Sequence, residues 1–122
     1  MSLTDEERDT LLGLAATWIE VGRPDDACTI LCGIADLEPD DDAPHRLLAE
    51  AFAKNERWEE ALRALGTALE KRDVVATRRR RAEIWIERGF YANAVSDLDA
   101  ILQTRDDPRA KLLRARLHRP LR

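Results

Sequence analysis

The sequence predicts an all-α fold made of stacked helix hairpins, and three observations carry that expectation. First, 44% of the 122 residues are hydrophobic and 36% are charged, but only 5% are aromatic. Ala, Leu, Glu and Arg lose little side-chain freedom in a helix, whereas the residues that fill strands are sparse. Second, Ala27, Ala61 and Ala94 recur at separations of 34 and 33 residues, a period typical of helical repeats. Third, glycine, proline and acidic residues fall at regular intervals where such helices must start and stop.

The frame extends beyond the alanines. Each is followed four residues later by Leu31, Leu65 or Leu98, and three further on by Ile34, Ala68 or Ile101. Nine residues before each stands an aromatic, Trp18, Phe52 or Trp85, and twelve before stands Ala15, Ala49 or Ala82. Two helices approach to about 8–10 Å only where side chains are small, and the paired alanines supply that clearance. The aromatics are expected to fill the wedge between successive hairpins. One hairpin cannot bury its own apolar face, so hairpins stack.

The boundaries follow in order. Thr4 with Glu7 has the spacing of a capping box and opens a first helix over about 4–21. Gly22 ends it, and Pro24 starts a second over 24–37, with Asp25 and Asp26 in its first turn. Pro39 follows that helix, and Asp40, Asp41 and Asp42 precede a third over 42–54, whose first turn holds Pro44. Asn55 and Glu56 mark the turn before a fourth over 58–72. Asp73 is placed to cap a fifth over 74–88. Gly89 closes that helix and Tyr91 starts a sixth over 91–104. Asp106, Asp107 and Pro108 open a seventh over about 107–118, with Leu112, Leu113 and Leu117 turned inward and Arg109, Lys111, Arg114 and Arg116 left in water. The tail from Arg119 is expected to fray. The chain reads as one domain, with repeats over about 8–41, 42–74 and 75–106 and a capping helix over about 107–118.

At these residues the chain resembles the tetratricopeptide repeat family over about 8–106. The resemblance implies a right-handed superhelix of three helix hairpins, closed by a capping helix, that binds a protein partner on its concave side. Arg78 and Arg81 in the third repeat, and His45 in the second, stand where the family usually carries large apolar residues. Those hairpins are expected to be more loosely packed or to be covered by another surface.

By helical phase, the concave lining implied by the family comprises Leu12, Ala16 and Ile19 from the first hairpin. The second contributes Arg46, Leu47, Glu50 and Ala53, and the third Arg79, Arg80, Glu83 and Ile86. An amphipathic helix or an extended segment with spaced apolar anchors suits that surface. Ile19, Leu47 and Ile86 are its apolar anchors, or else inter-hairpin core, since phase alone does not separate the two. A clamp of Lys, Asn and Arg for a C-terminal carboxylate, the best-known groove of the family, is not expected, because Leu12 and Ala16 stand where Lys and Asn would be needed.

The run Arg78 to Arg81 spreads over about 400° of helical arc, so it cannot form one basic stripe. Ion pairing with acidic flanks such as Glu70 and Glu83 competes with partner contact, and nucleic-acid binding with both. A net charge of −4 sets the overall field against nucleic acid and anionic membrane. No apolar run approaches the ~20 residues that cross a bilayer. Met1 to Arg8 is acidic and lacks the order of a signal peptide, which predicts a cytoplasmic protein.

No enzyme, metal or cofactor is expected. The glycines form no phosphate loop, and His45 and His118 lack an evident partner. The carboxylates Asp5 to Glu7 and Asp40 to Asp42 sit at helix starts, where the dipole favours negative charge. Cys28 and Cys32, spaced i,i+4, suit neither a disulfide nor a complete metal site, and are expected to be small buried apolar residues.

A second resemblance concerns the whole layout. The stretch Leu11 to Leu37, LLGLAATWIEVGRPDDACTILCGIADL, is similar to the opening of small chaperones of bacterial type III secretion. Asp107-Pro108-Arg109-Ala110 before a last helix is similar to the needle-subunit chaperone relatives. What this implies is a chaperone that clasps an amphipathic helix of an early-exported secretion substrate, with a small co-chaperone or a homodimer as further partners. A generic adaptor in another complex is the alternative.

Overall fold

The structure is a computed structural model, which describes residues 2–117. Seven helices run in order: α1 (Asp5–Glu20), α2 (Pro24–Leu37), α3 (Ala43–Lys54), α4 (Trp58–Lys71), α5 (Val75–Glu87), α6 (Tyr91–Thr104) and α7 (Pro108–Leu117). No strand occurs among the described residues. The chain divides into two compact units, Met1–Asp73 and Val74–Arg122.

The three hairpin turns are built alike. Gly22, Glu56 and Gly89 take the left-handed conformation, with φ of 86°, 58° and 82°. At each turn two backbone N–H groups reach back to the helix end. Gly22 donates to Ile19 O and Arg23 to Trp18 O; Glu56 donates to Ala53 O and Arg57 to Phe52 O; Gly89 donates to Ile86 O and Phe90 to Trp85 O. This double bond pattern satisfies carbonyls that a helix end leaves open. A side-chain contact closes each turn. Arg23 lies 5.8 Å over Trp18, Arg57 lies 5.7 Å over Phe52, and Phe90 meets Trp85 edge-on at 5.5 Å. The repeated aromatics thus latch their own turns.

In the first unit α1 packs on α2, α2 and α1 on α3, and α3 on α4. Its core holds Ala15, Ala27, Ala49 and Ala61, with Leu31, Ile34, Leu65 and Ala68, all essentially solvent-free. The capping box at Thr4 and Glu7 is formed, and it holds the Glu7 carboxyl below its ordinary pKa. Arg8 reaches Asp41 across 3.1 Å and Glu38 accepts from Leu3 N, so the α2–α3 loop is tied to the start of α1.

In the second unit α5 packs on α6 and α6 on α7. Ala82, Ala94, Leu98, Ile101 and Ala110 form its core, with Val75, Trp85, Ile86, Leu102, Leu113 and Leu117 against it. Two boundary expectations change here. By the helix bounds Val74, not Asp73, stands at the N-cap of α5. On α7, Leu112 is 67% exposed instead of inward-facing, while Arg114 is half-buried and donates to Asp99 at 2.8 Å. A rotation of about 100° per residue places Leu112 almost opposite Ala110 and Leu117, which claim the inner side. His118 and the tail from Arg119 lie outside the described residues.

Glu56 is the one non-glycine residue among the three left-handed turn positions. A Cβ there costs about 1 kcal/mol relative to glycine. Glu56→Gly is expected to stabilise the protein by about that amount, and Gly22→Ala to destabilise it similarly. Urea unfolding of both variants checks this; loss of stability in Glu56→Gly would show that the side chain matters more than the strain.

Candidate functional site

The expected lining residues divide between the two units. In the first, Leu12 and Ala16 on α1 and Arg46, Leu47, Glu50 and Ala53 on α3 are half-buried. The two helices are in contact, so one compact unit carries all of them. Ile19 differs: at 5% exposure it belongs to the hairpin core and offers a partner almost no surface. Arg46 pairs at 2.9 Å with Asp42, the N-cap residue of that helix. In the second unit Arg79, Arg80, Glu83 and Ile86 lie half-buried on α5. Ile86 packs against the core of that unit, Arg79 is held by Asp107 at 2.9 Å, and Glu83 is met by Arg109 of α7 at 3.8 Å.

Three members of the arginine run, Arg78, Arg79 and Arg81, are ion-paired, with Asp97 and Asp107 among their partners. Arg81 forks onto Asp97 of α6, Nε donating to Oδ2 at 2.8 Å and Nη2 to Oδ1 at 2.6 Å. Arg78 adds a third bond to the same carboxylate at 3.1 Å. Asp97 is 2% exposed. Glu83 instead serves Arg109. The missed signal was positional. Asp97 stands in the repeat slot of Ile30 and Ala64, Arg81 in that of Leu14 and Leu48, and Arg78 in that of Leu11 and His45. The third hairpin therefore replaces an apolar contact with a charged one, and the arginines are neither loosely packed nor uncovered.

Asp107 links this network to α7. It accepts from Ala110 N at 2.9 Å while holding Arg79. The Ala110 N–H holds its carboxyl below the ordinary carboxylate value; burial opposes this, and the nearby Arg79 charge adds to it.

The other titratable groups offer little chemistry. Burial, with Lys71 nearby, lowers the His45 pKa. Burial also pushes the Cys28 thiol up, away from a reactive thiolate. Cys28 is half-buried, but Cys32 is exposed, contrary to the expectation of two buried thiols. Among the described residues no group of three His, Cys, Asp or Glu side chains is placed to hold a metal ion. No helix among them is long and apolar enough to cross a membrane. A shallow surface cavity of about 340 Å³ at the start of α1 is lined by Thr4, Glu6, Glu7, Thr10 and Leu11, none of them an expected lining residue.

Removing one member of a buried ion pair strands the other. Asp97→Ala is expected to cost about 3 kcal/mol in urea unfolding. Arg78→Leu/Arg81→Leu/Asp97→Ile, which installs the residues of the first repeat, is expected to recover wild-type stability or exceed it. A triple variant no more stable than Asp97→Ala would mean that the third hairpin requires its charges. A second outcome concerns acid. A carboxylate with a depressed folded pKa contributes stability above its unfolded value and loses it as pH falls through the folded one. The Asp107 cap is therefore in force at neutral pH and is lost below its ordinary value of 3.8. Amide exchange in α7, corrected for intrinsic rates, should rise on acidification through that range, and Asp107→Asn should flatten the dependence.

No protein-family model matches the chain, and no curated protein sequence matches it. Solved structures do. MamA superposes with a TM-score of 0.77 at 19% identity over 91% of this chain, which spans 66% of MamA. SycD, the type III secretion translocator chaperone of Yersinia enterocolitica, gives 0.75 at 19% identity, covering 93% of this chain and 87% of SycD; it has also been solved with a peptide of the translocator YopD. PcrH, in complex with the chaperone-binding region of PopB, gives 0.73 at 20% identity and 94% coverage of both chains. With the period, the paired alanines and the three like turns, these similarities make the chain a tetratricopeptide-type helical-repeat protein in fold.

Proposed function

We propose that this chain is a non-enzymatic chaperone that binds an amphipathic helix or extended peptide of a protein client through the first helices of its hairpins. The observation that supports this most is the match to PcrH with a bound client segment, over 94% of both chains at 20% identity. The half-buried face of α1 and α3 is consistent with it. Leu12 and Leu47 offer apolar surface, Ala16 and Ala53 leave room, and Glu50 and Arg46 add polar contacts. Such a face stabilises a client by taking its apolar stripe out of water, at about 25 cal/mol per Å² buried, and requires no nucleotide.

In this reading the chaperone works in the cytoplasm of a bacterium with type III secretion and keeps an export substrate from premature association. The similar chaperones named above hold translocator segments, which favours that class of client over the early-exported needle components. A co-chaperone or a second copy of the chain could complete the complex. The alternative reading is an adaptor that scaffolds another complex.

Leu12→Asp/Leu47→Asp is expected to abolish client capture in co-purification from the native host while circular dichroism remains helical. Undiminished capture by the folded double variant would sink the groove reading. A client encoded beside secretion-apparatus genes supports the chaperone over the adaptor.

A further inference from the structure

The net charge of −4 understates the first unit. Residues 1–73 carry 8 Lys or Arg against 18 Asp or Glu, which leaves that unit at −10. Pairing inside the unit cannot change this sum. Part of the excess lies on the face of α1 that the groove reading uses.

Along α1, Asp5, Asp9, Leu12, Ala16 and Glu20 follow one another at steps of four, three, four and four residues. At 100° per residue the five fall within about 80° of arc, so they form one stripe. The stripe is about 22 Å long. Half-buried Leu12 and Ala16 lie at its middle, with exposed Asp5 and Asp9 before them and exposed Glu20 after. On α3, which packs against α1, Leu47, Glu50 and Lys54 share a stripe in the same way. The two stripes together hold four carboxylates, Asp5, Asp9, Glu20 and Glu50, against the one ammonium of Lys54. Arg46 beside them is already held by Asp42 at 2.9 Å.

Local helix chemistry accounts for only part of this. Asp5 stands in the first turn of α1, where the helix dipole favours negative charge. Glu20 stands in the last turn, which holds no basic residue, and there the dipole disfavours a carboxylate. Asp9 is met by Arg8 at 3.1 Å, but the same guanidinium also holds Asp41 at 3.1 Å, so one cation serves two carboxylates. A cation brought by a partner relieves both Asp9 and Glu20.

We propose, resting on the groove reading above, that the client segment bound along α1 and α3 is a basic amphipathic helix. Its apolar residues cover Leu12, Ala16 and Leu47. Its Lys or Arg residues, about one turn to either side of that apolar patch, meet Asp9 and Glu20. Complementary rim charges steer encounter and reject wrong partners more than they add affinity. The face therefore sorts amphipathic helices by the charge of their flanks, taking a basic one and repelling an acidic one.

Synthetic amphipathic helices of roughly 20 residues with identical Leu positions test this, using the intact chain and fluorescence anisotropy. They differ only in carrying Lys, Gln or Glu at the flanking positions. The Lys helix is expected to bind about tenfold more tightly than the Gln helix at low salt, and the Glu helix least tightly. The advantage of Lys should vanish at 1 M salt, where screening acts within about 3 Å. In Asp9→Asn/Glu20→Gln it should shrink to about twofold, with binding of the Gln helix unchanged. In Leu12→Gln/Leu47→Gln the Lys and Gln helices should both weaken. Equal binding of the Lys and Gln helices to the unaltered chain overturns the charge proposal and leaves the groove reading standing. So does a Glu helix that binds as tightly as the Lys helix, or an undiminished Lys preference in the folded Asp9/Glu20 variant. Undiminished capture of the Lys helix by the folded Leu12/Leu47 variant overturns its placement on α1 and α3. Failure of every helix to bind overturns both the proposal and the groove reading.

Discussion

The close approach of two helices within each hairpin is the constraint on which the rest of this structure depends. It is met by alanine on both sides: Ala15 with Ala27, Ala49 with Ala61, and Ala82 with Ala94, each no more than 1% exposed. A larger side chain at any of these positions would have to force the rods apart, because a packed interior has no slack to absorb it. Once the rods are this close, the turn between them must be short. The turn residue must then be left-handed, and the helix-end carbonyls must be met by the chain as it reverses. The likeness of the three turns follows from that geometry, and the residue filling the latch is free to vary between arginine and phenylalanine.

The third hairpin shows how much freedom remains when the crossing is fixed. Its alanines are conventional, but three neighbouring slots carry Arg78, Arg81 and Asp97 in place of Leu, His, Ile or Ala. A lone buried carboxylate would be expensive, as would an isolated guanidinium. Together, with a bidentate fork and a third bond, they satisfy one another. Charged contacts have direction where apolar ones do not, so this hairpin specifies the pairing of α5 with α6 through geometry as well as through burial. Asp107 extends the same logic to α7, which buries little beyond Ala110, Leu113 and Leu117 and is held largely by charge.

Several titratable groups of this scaffold serve helix caps and ion pairs. Glu7 and Asp107 close helix ends; Asp97 is saturated by two arginines; the Cys28 thiol is pushed away from reactivity. In the reading proposed above, a partner meets the half-buried surface of α1 and α3.

The sequence by itself determined the elements and their ends, because those rest on local rules: period, small residues at the crossing, and glycine, proline and acidic residues at the caps. All seven helices lie within about two residues of their expected bounds, and the capping box at Thr4 is where its spacing placed it. The direction in which each side chain points was decided only by tertiary structure. Periodicity gives a face to within a few tens of degrees, and that margin separates surface from core. It left Ile19 open between groove and core, where packing settled on core, and it turned Leu112 the wrong way. The partners of the arginine run were equally out of reach of local reasoning. Asp97 lies 16 residues from Arg81 on the facing helix, and only the folding of α5 against α6 makes three charged residues into one satisfied contact.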